Sequence, residues 1–456
     1  MKKLFIFGQN LLWIFLLAVG MTACTEQNTP DNPNGEENQS TETPDDTTIV
    51  TTDTIRIVWN GTNVTIEGEH NDVSVTDENG YVTVNSTVKD ITYVLSGNGQ
   101  GQLTIYGTNR HQLILSDLTL TCSDGPAINN QCKKSCFIML QGSNTLTDGS
   151  AYATSTEDRK AAFYSEGQMI FSGGGSLIVT GNYKHAIASD DYIQFAESTG
   201  SLTIHAKVND GIHANDGIFI NGGTFAITSK DEGIRTDSNT IAITGGVISV
   251  ISQSEGIESK GTITISGGIV YSQASDDAIN AGGDLTISGG CVCAYSTGND
   301  GIDANGNCYV QGGLIYATGS RSPEVAIDAN TEKGYKLYVT GGTIVAVGNL
   351  ESGAQLTQSC YKASGSTNTW YALTAGDEVF AFKTPGSNAS TIVVSGAEQP
   401  TLTKGVSASG TEIFNGIGYY PATFTGGSSV SLSTYNNNSG GGPGGGGPGG
   451  GGPGGW

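Results

Sequence analysis

A segment of 22 to 25 residues recurs along the middle of this chain, and the repeat constrains the fold more than any other feature. Three successive copies read QSEGIESKGTITISGG (253–268), QASDDAINAGGDLTISGG (273–290) and STGNDGIDANGNCYVQGG (296–313). Each carries an acid two residues before an isoleucine and ends on a Gly-Gly pair. The residues that anchor one copy after another are Ile128, Phe163, Ile187, Ile212, Ile234, Ile257, Ile279, Ile302 and Ile327.

Apolar and polar residues alternate within each copy, as in a β-strand with one buried face. Apolar pairs precede each Gly-Gly, and another apolar residue takes the second position after it. The pairs are Ile218/Ile220, Ile241/Ile243, Ile263/Ile265, Leu285/Ile287, Cys308/Val310 and Leu337/Val339, and the single positions are Phe225, Ile248, Val270, Val292, Ile315 and Ile344. Leucine-rich repeats share this period but require a leucine and asparagine ladder that is absent here. The sequence therefore predicts an all-β protein, a parallel β-helix with 22–25 residues per coil.

The beginning of the chain lies outside the repeat. Two lysines precede an apolar stretch too short to span a membrane, and GMTAC follows it. This order predicts a lipoprotein signal peptide over 1–24, with Cys24 lipidated; a plain signal peptide with an unmodified cysteine is the alternative. Residues 25–52 are polar and predict a flexible linker. We therefore expect a lipoprotein of the outer membrane or cell surface, with the periplasmic face as the other possibility.

The regular coils need covers at both ends, because an open coil exposes an unpaired sheet edge. Residues 53–124 hold short β runs and predict an N-terminal β cap or irregular first coils, ahead of regular coils over 125–350. Residues 351–435 have a hairpin-like rhythm and predict a C-terminal β cap packed on the last coil. The Gly- and Pro-rich tail, 436–456, has too few apolar side chains for a core and predicts disorder.

The charge balance excludes one class of partner. The chain has 43 Asp and Glu against 20 Lys and Arg, for a formal net charge of −23. A phosphate backbone requires a basic surface, so nucleic acid is not an expected partner. Seven cysteines remain after Cys24, an odd number without a C-x-x-C pair. They predict packed thiols instead of a zinc site.

Acidic residues form a column when the coils are stacked. The residue two before the anchor is acidic in five consecutive coils, and other acids flank it. The column is Asp210, Glu232, Glu255, Asp277 and Asp300, and the flanking acids are Asp231, Glu258, Asp276 and Asp303. Adjacent coils are about 4.8 Å apart, and two like charges at a similar distance repel by about 1 to 4 kcal/mol. A hard cation with oxygen ligands relieves this repulsion, so we predict Ca²⁺ at these nine acids. The alternative is a solvated acidic ridge, neutralised by protonation or by Lys and Arg.

Four tyrosines are candidate carbohydrate-binding residues. Tyr309 and Tyr338 share one outward column in successive coils, and Tyr271 and Tyr316 share another, separated by the coil that bears Cys293. Exposed aromatic rings can stack on sugar rings. The alternative is that tyrosine is simply favourable on the outer face of a strand.

Several blocks in order also resemble a known family. They read GPAINN, LQGSNTLTDGSAY, AAFYSEGQMIFSGGGSLIVTGNYKHAIASDDYI, NDGIHANDGIFINGG, DEGIRT and EGIESKGTITISGG. From about residue 85 to 350, and more loosely to 435, the chain resembles a bacterial carbohydrate-binding family of right-handed parallel β-helices. Its members bind calcium and polysaccharides such as polygalacturonate or cellulose, and they are related in shape to pectate lyases. The resemblance implies a right-handed coil and calcium at the five column acids. Two positions depart from it, because His185 and Val325 replace the expected carboxylate in their coils.

Three functions follow from these observations. The first is a non-catalytic, calcium-dependent carbohydrate-binding lipoprotein of the cell envelope, with an acidic polysaccharide as its partner. The second is a calcium-dependent lyase of the pectate type, because Arg235 and Lys260 lie beside the acids and a base must take the C5 proton of the sugar. Such a lyase also needs further bases to grip its substrate, and this region has few. The third is a structural surface adhesin.

Overall fold

The computed structural model of the chain describes residues 49–436 except Thr52. The predicted signal peptide, the lipidation site at Cys24, most of the linker and the Gly/Pro tail lie outside the described residues. The described part is a right-handed parallel β-helix of about 10 turns, joined to a six-stranded antiparallel sheet. This confirms the predicted fold class. No helix among the described residues is long and apolar enough to cross a membrane.

The first turns combine long strands with two hairpins. The strands are β1 (Thr54–Gly61), β2 (Asn63–Glu67), β3 (Val73–Glu78), β4 (Tyr81–Ser86), β5 (Ile91–Gln100), β6 (Gln102–Gly107), β7 (His111–Thr121), β8 (Ile128–Asn130), β9 (Cys136–Gln141) and β10 (Ser143–Thr147). Parallel pairing begins with β1 on β5 and β5 on β7, and antiparallel partners β2 and β3 lie beside β1 and β4. Residues 53–124 therefore contain both coils and the hairpin strands that flank them.

The regular coils repeat three short strands. They are β11 (Ala161–Ser165), β12 (Met169–Ser172), β13 (Ser176–Gly181), β14 (His185–Ser189), β15 (Ile193–Phe195), β16 (Ser201–Ala206), β17 (Ile212–Ala214), β18 (Ile218–Ile220), β19 (Thr224–Ser229), β20 (Ile234–Thr236), β21 (Thr240–Ile243), β22 (Val247–Ser252), β23 (Ile257–Ser259), β24 (Thr262–Ile265), β25 (Ile269–Ala274), β26 (Ile279–Ala281), β27 (Leu285–Ile287), β28 (Cys291–Ser296), β29 (Ile302–Ala304), β30 (Cys308–Val310), β31 (Leu314–Thr318), β32 (Leu337–Val339) and β33 (Thr343–Val347). A 3₁₀ turn, Thr331–Lys333, lies between β31 and β32.

The three strands of each coil form three parallel ladders. We call the 11-stranded sheet that runs from β3 through β29 the acid sheet, because the acidic columns lie on it. The tyrosine ladder runs β9, β12, β15, β18, β21, β24, β27, β30 and β32. The covered ladder runs β7, β10, β13, β16, β19, β22, β25, β28, β31 and β33.

The stacked apolar residues predicted from the repeat form the core. Every predicted inward pair is 0% exposed, and the single positions after Gly-Gly are at most 1% exposed. The Gly-Gly corners require glycine for two separate reasons. The second glycine takes the left-handed backbone region, as at Gly246 with φ 87°. A Cβ on the first glycine, Gly245, would lie 2.4 Å from the carbonyl oxygen of Asn221 in the preceding coil.

The C-terminal region contains the strands β34 (Gln355–Leu356), β35 (Cys360–Ser364), β36 (Trp370–Ala375), β37 (Glu378–Lys383), β38 (Thr391–Ser395), β39 (Thr401–Lys404), β40 (Ser407–Ile413), β41 (Gly418–Thr425), β42 (Ser428–Val430) and β43 (Ser433–Thr434), with a 3₁₀ turn at Phe414–Gly416. Strand β38 pairs antiparallel with β33, the last strand of the covered ladder, and β35 pairs with β38. These strands take up the edge that the last coil would leave open.

The six-stranded sheet, β36, β37 and β39–β42, lies against the side of the solenoid and not only against its last coil. Its Phe380 and Phe382 join one buried apolar cluster with Tyr316 and Cys293 of the covered ladder. The Tyr316 hydroxyl donates a hydrogen bond to the Lys383 carbonyl oxygen at 2.8 Å. The C-terminal region therefore covers the side of the solenoid as well as the edge of its last coil, and hairpin rhythm alone does not show which surface a sheet covers.

Candidate functional site

Two columns of polar side chains run along the acid sheet. The leading column lies two residues before each anchor and contains His185, Asp210, Glu232, Glu255, Asp277 and Asp300. The following column lies one residue after each anchor and contains His213, Arg235, Glu258, Asn280, Asp303 and Asp328. Strand pairing places consecutive members of the following column opposite one another, as Arg235 on Glu258 and Asn280 on Asp303. Neighbouring members of a column are therefore one coil, about 4.8 Å, apart.

Backbone hydrogen bonds hold the leading column in register. The amide of the residue after each column member donates to the carbonyl oxygen of the next member along the solenoid. Gly211 donates to Glu232 at 3.0 Å, and Gly256 donates to Asp277 at 3.0 Å. The column therefore stacks as the repeat predicts.

Most of the column carboxylates are buried. Asp210 is 2% exposed, Glu232 5%, Asp277 4% and Asp300 8%, and Glu258 of the following column is 3% exposed. A solvated ridge would leave them in water, so the structure does not support that alternative as a whole. A buried carboxylate requires an opposite charge or a proton.

The two ends of these columns meet this requirement differently. We call the coils of Ile212, Ile234 and Ile257 the matched half, because basic side chains accompany their acids. Arg235 lies between two of these acids, with its Nη1 3.3 Å from Glu232 Oε1 and 3.6 Å from Glu258 Oε2. Lys260 forms a second ion pair with Glu258. In this half, the structure agrees with the alternative to calcium in which Lys and Arg side chains neutralise the acids.

Two histidines also belong to the matched half. Nδ1 of His185 lies 3.1 Å from Asp210 Oδ2, and Nδ1 of His213 lies 2.7 Å from the same oxygen. Although burial acts in the opposite direction, the two histidines hold the pKa of Asp210 well below its usual range. Burial, followed by a hydrogen bond with Asp210, raises the pKa of Glu232 to about 9. The carboxyl of Asp231 approaches Asp210 and Glu232 closely enough for the three to share an ion.

The coils of Ile279, Ile302 and Ile327 form the unmatched half. Oxygen atoms of Asp300, Asp303 and Asp328 lie within 4.8 Å of one another. In the described part of the chain, no Lys or Arg forms an ion pair with these three acids or with Asp277. Burial and neighbouring carboxylates instead raise the pKa of Asp277 to about 9, of Asp300 to about 7 and of Asp303 to about 6. Without a cation, Asp277 therefore retains its proton at neutral pH, Asp300 is partly protonated, and Asp303 loses its proton less readily than an ordinary carboxyl.

This donor set fits a calcium ion. Ca²⁺ binds oxygen atoms at about 2.3 to 2.6 Å, so two ligand oxygens lie at most about 5 Å apart. Asp328 also retains a proton when no cation is bound, because burial and a hydrogen bond with Glu351 raise its pKa to about 10. When a cation displaces a proton that two carboxyl groups share, both groups become carboxylates. The residues able to hold the ion are therefore Asp300, Asp303 and Asp328, with Asp277 in the preceding coil.

The remaining predicted acids lie at the border between the two halves. Glu255 is half-buried and hydrogen-bonded to the Ser254 hydroxyl. Asp276 is also half-buried, and its Oδ1 accepts a hydrogen bond from Asn299 Nδ2 at 2.8 Å. Neither belongs to a group of three His, Cys, Asp or Glu residues that converge within the described residues.

Sequence reasoning missed Asp328, His213 and Asp237. The signal for Asp328 was available, because it follows Ile327 as Asp303 follows Ile302. Val325 interrupts the leading column in that coil, so the acid that marks the other coils is absent two residues before Ile327. His213 occupies the same following position after Ile212. Asp237 lies beyond its strand, and no column position indicates its contact with His213.

The four tyrosines have separate environments. Tyr316 is 0% exposed and Tyr271 is 6% exposed beneath the six-stranded sheet. The prediction that these two bind sugar is therefore wrong, because a tertiary cover occupies the face they present. Tyr309 and Tyr338 remain half-exposed on the tyrosine ladder, with ring centroids 5.1 Å apart and an interplanar angle of 9°. Stacking occupies one face of each ring, so their outer faces and hydroxyl edges are what a sugar can contact.

Comparison with known proteins identifies one family. The model of the family described as "Carbohydrate-binding domain-containing protein" matches residues 76–324, more than half of the chain. No protein with a curated description matches. The structure is similar to that of the polysaccharide lyase-like protein from C. thermocellum, solved as a gadolinium derivative. The identity is 23% over 58% of this chain and 94% of that chain, and the TM-score is 0.41.

Proposed function

Because the chain belongs to the family of carbohydrate-binding domain-containing proteins, we propose that it is a non-catalytic, calcium-dependent receptor for an acidic plant polysaccharide such as polygalacturonate. Carbohydrate is the partner class that the family indicates, and the acidic character of the sugar and the role of calcium are our additions. One observation carries them: the carboxyls of buried Asp300 and half-buried Asp303 and Asp328 converge, with buried Asp277 in the preceding coil, and no Lys or Arg among the described residues pairs with them.

The proposal explains how an acidic protein holds an acidic sugar. A formal net charge of −23 repels a uronate chain unless a cation lies between them. The unmatched half contributes carboxylate ligands from successive coils, which hold calcium and leave its remaining coordination positions to a uronate carboxylate or water. Tyr309 and Tyr338 belong to the coils of Ile302 and Ile327, which also carry Asp303 and Asp328. The tyrosines and the acids lie on different ladders of these coils, so a sugar chain that contacts both groups crosses from one face of the solenoid to the next.

The ion pairs in the matched half favour binding over lyase chemistry. A lyase of the pectate type needs a Lys or Arg that is free to accept the C5 proton. Arg235 contacts Glu232, Glu258 and Asp237, and Lys260 contacts Glu258. Both bases already neutralise buried carboxylates. We therefore expect no unsaturated uronate product when polygalacturonate is incubated with the protein and calcium.

We further propose that the protein acts at the cell envelope, held by a lipid on Cys24 at the outer membrane or cell surface. The support is the MTAC motif after a short apolar stretch and the polar segment 25–52 that follows. Such a tether places the solenoid away from the bilayer, where a polysaccharide chain can reach it.

The decisive experiment compares the double variant Asp300→Asn/Asp303→Asn with wild type in polygalacturonate affinity electrophoresis, with calcium and with chelator. We expect calcium to retard wild type and chelator to abolish the retardation, whereas the double variant is retarded weakly in both. Asp72→Asn/Glu197→Gln removes the same charge from exposed positions and serves as the matched control. Equal retardation of wild type with and without calcium would exclude the proposed mechanism.

A further inference from the structure

His185, Asp210 and His213 form a second group of potential metal ligands. They are distinct from the acids of the unmatched half that we propose to bind calcium, which we call the calcium acids. The two histidines come from successive coils, and their rings stack with centroids 4.3 Å apart. Nδ1 of each ring faces Oδ2 of Asp210, at 3.1 Å for His185 and 2.7 Å for His213. All three residues are more than nine-tenths buried.

His213 has a carboxylate oxygen near each of its two ring nitrogens. Its Nε2 lies 3.3 Å from Asp237 Oδ2, while its Nδ1 faces Asp210. A neutral imidazole has one N–H, so one of these nitrogens directs a lone pair at a carboxylate. A metal ion at Nδ1 removes this conflict, and Asp237 then orients the ring as an accepting carboxylate behind a metal-bound histidine.

His185 provides an independent observation. Its Nδ1 is buried and lies near Asp210 Oδ2, yet it makes no hydrogen bond of acceptable direction. Oε2 of Glu232, which borders Asp210 in the next coil, is also buried without a hydrogen-bond partner. Two unsatisfied polar atoms therefore border the carboxylate that both imidazoles approach. Buried polar groups of this kind indicate an absent partner.

The distances suit a small ion. Zn²⁺ binds imidazole nitrogen and carboxylate oxygen at about 2.0 to 2.2 Å, so tetrahedral ligands lie about 3.3 Å apart. The nitrogen-to-oxygen distances of 2.7 and 3.1 Å therefore open by only a few tenths of an ångström around an ion. Two nitrogens and one oxygen favour zinc, copper or nickel over calcium, which prefers oxygen alone.

We propose that His185, Asp210 and His213 bind a divalent transition-metal ion, with Zn²⁺ as the representative, and that Glu232 completes its ligands. The ion joins the coil of Ile187 to the coil of Ile212 at the end of the acid columns away from the calcium acids. It stabilises the stack without requiring a sugar.

The test uses the full chain without a polyhistidine tag, stripped of metal and then kept in excess calcium so that oxygen-only sites are filled. Zn²⁺ uptake is measured by titration, and Co²⁺ absorption reports nitrogen ligands. His185→Ala and His213→Ala are suitable variants, because the preceding coil carries Ala161 and Ala188 at the paired positions. His205→Ala, at an exposed histidine outside the group, is the control.

Wild type and His205→Ala are expected to bind one Zn²⁺ per chain and to melt at a higher temperature with it. Asp237→Asn weakens binding by about 10- to 100-fold, because it removes the carboxylate that orients His213 but no ligand of the ion; it also removes an ion pair with Arg235. His185→Ala and His213→Ala weaken binding by a larger factor. Each also removes a partner of buried Asp210, so the variants are compared by the rise in melting temperature on adding Zn²⁺ and not by the melting temperature in chelator. Zn²⁺ binding that is absent in wild type, or unchanged in both histidine variants, would overturn the proposal. Sugar retention is measured separately with calcium, so the two proposals fail independently.

Discussion

The matched and unmatched halves of the acid columns occupy the same sheet, in the same register, yet neutralise their carboxylates in opposite ways. In the matched half, Arg235 lies between Glu232 and Glu258, and two histidines face Asp210. In the unmatched half, the following column carries Asn280, Asp303 and Asp328 at the positions that Arg235 and His213 take earlier. The difference arises from a few residues at one position of the repeat.

Under the proposed function, this difference separates a region with a structural role from a region that binds the ligand. An acid whose counter-charge is covalently part of the chain stabilises the fold under any ionic condition. An acid without one makes stability depend on protons or ions from solution. The solenoid repeats a single coil, so exchanging one outward residue changes the role of a coil without altering the core.

The largest expected effect is on the pH dependence of stability in chelator. The pKa values of Asp277, Asp300 and Asp303 are raised in the folded protein, to about 9, about 7 and about 6. The folded state therefore holds these protons more tightly than the unfolded state, and their stabilisation is lost as pH rises from about 4 through these values. Since a tenfold change in proton affinity corresponds to about 1.4 kcal/mol, we expect a loss of several kcal/mol, measured by urea unfolding.

In the matched half, Glu232 adds to this fall, because its pKa is also raised, to about 9. Asp210 acts with the opposite sign. Its pKa is lowered, so its stabilisation is present above the ordinary carboxyl pKa and is lost as pH falls through its folded value. The variant Asp277→Asn/Asp300→Asn should flatten the fall at rising pH, and Asp72→Asn should not. Saturating calcium should reduce the fall in wild type and leave the part that Glu232 contributes. An unchanged slope in the double variant would contradict the division into two halves.

A smaller effect on stability is expected from Arg235→Ala, because this change leaves acids of the matched half without a basic partner, as in the unmatched half. The change leaves Glu232 and Glu258 buried without this counter-charge, although Lys260 still contacts Glu258. Because the Arg235 side chain is 26% exposed, we expect a loss of about 2 to 3 kcal/mol in chelator, at the lower end for a broken buried pair.

Urea unfolding measures this loss, with Lys230→Ala as the control at an exposed lysine hydrogen-bonded to Gln253. Calcium should recover part of the stability of Arg235→Ala, because the variant places unpaired carboxylates in adjacent coils. If Arg235→Ala and Lys230→Ala lose equal stability, the ion pairs do not distinguish the two halves.

The smallest expected effect concerns the aromatic pair beside the unmatched half. Threonine already occupies the tyrosine column at Thr286 and Thr264, so Tyr309→Thr and Tyr338→Thr should fold normally. Each should lower polygalacturonate affinity by about 2- to 10-fold, the range expected for one aromatic contact. Phe219→Thr, in the same column within the matched half, is the control. Equal losses in all three variants would place the sugar elsewhere on the ladder.

The sequence by itself determined the coil. Its period of 22 to 25 residues, its Gly-Gly corners and its alternating apolar residues specify which side chains stack inward, and all predicted core positions are buried. The same repeat placed the acids in one column. These features follow from local spacing, because in a solenoid each residue packs mainly on the equivalent residue of the next coil.

Only the tertiary structure decided what covers each outward face and what neutralises each acid. Tyr316 and Tyr309 are both outward tyrosines in neighbouring strands, yet the six-stranded sheet buries the first and leaves the second half-exposed. The convergence of His185 on His213, and of Asp303 on Asp328, likewise depends on side-chain directions across two columns. A repeat fixes which residues share a column, but burial and charge pairing depend on contacts between columns and with distant segments, which the period does not encode.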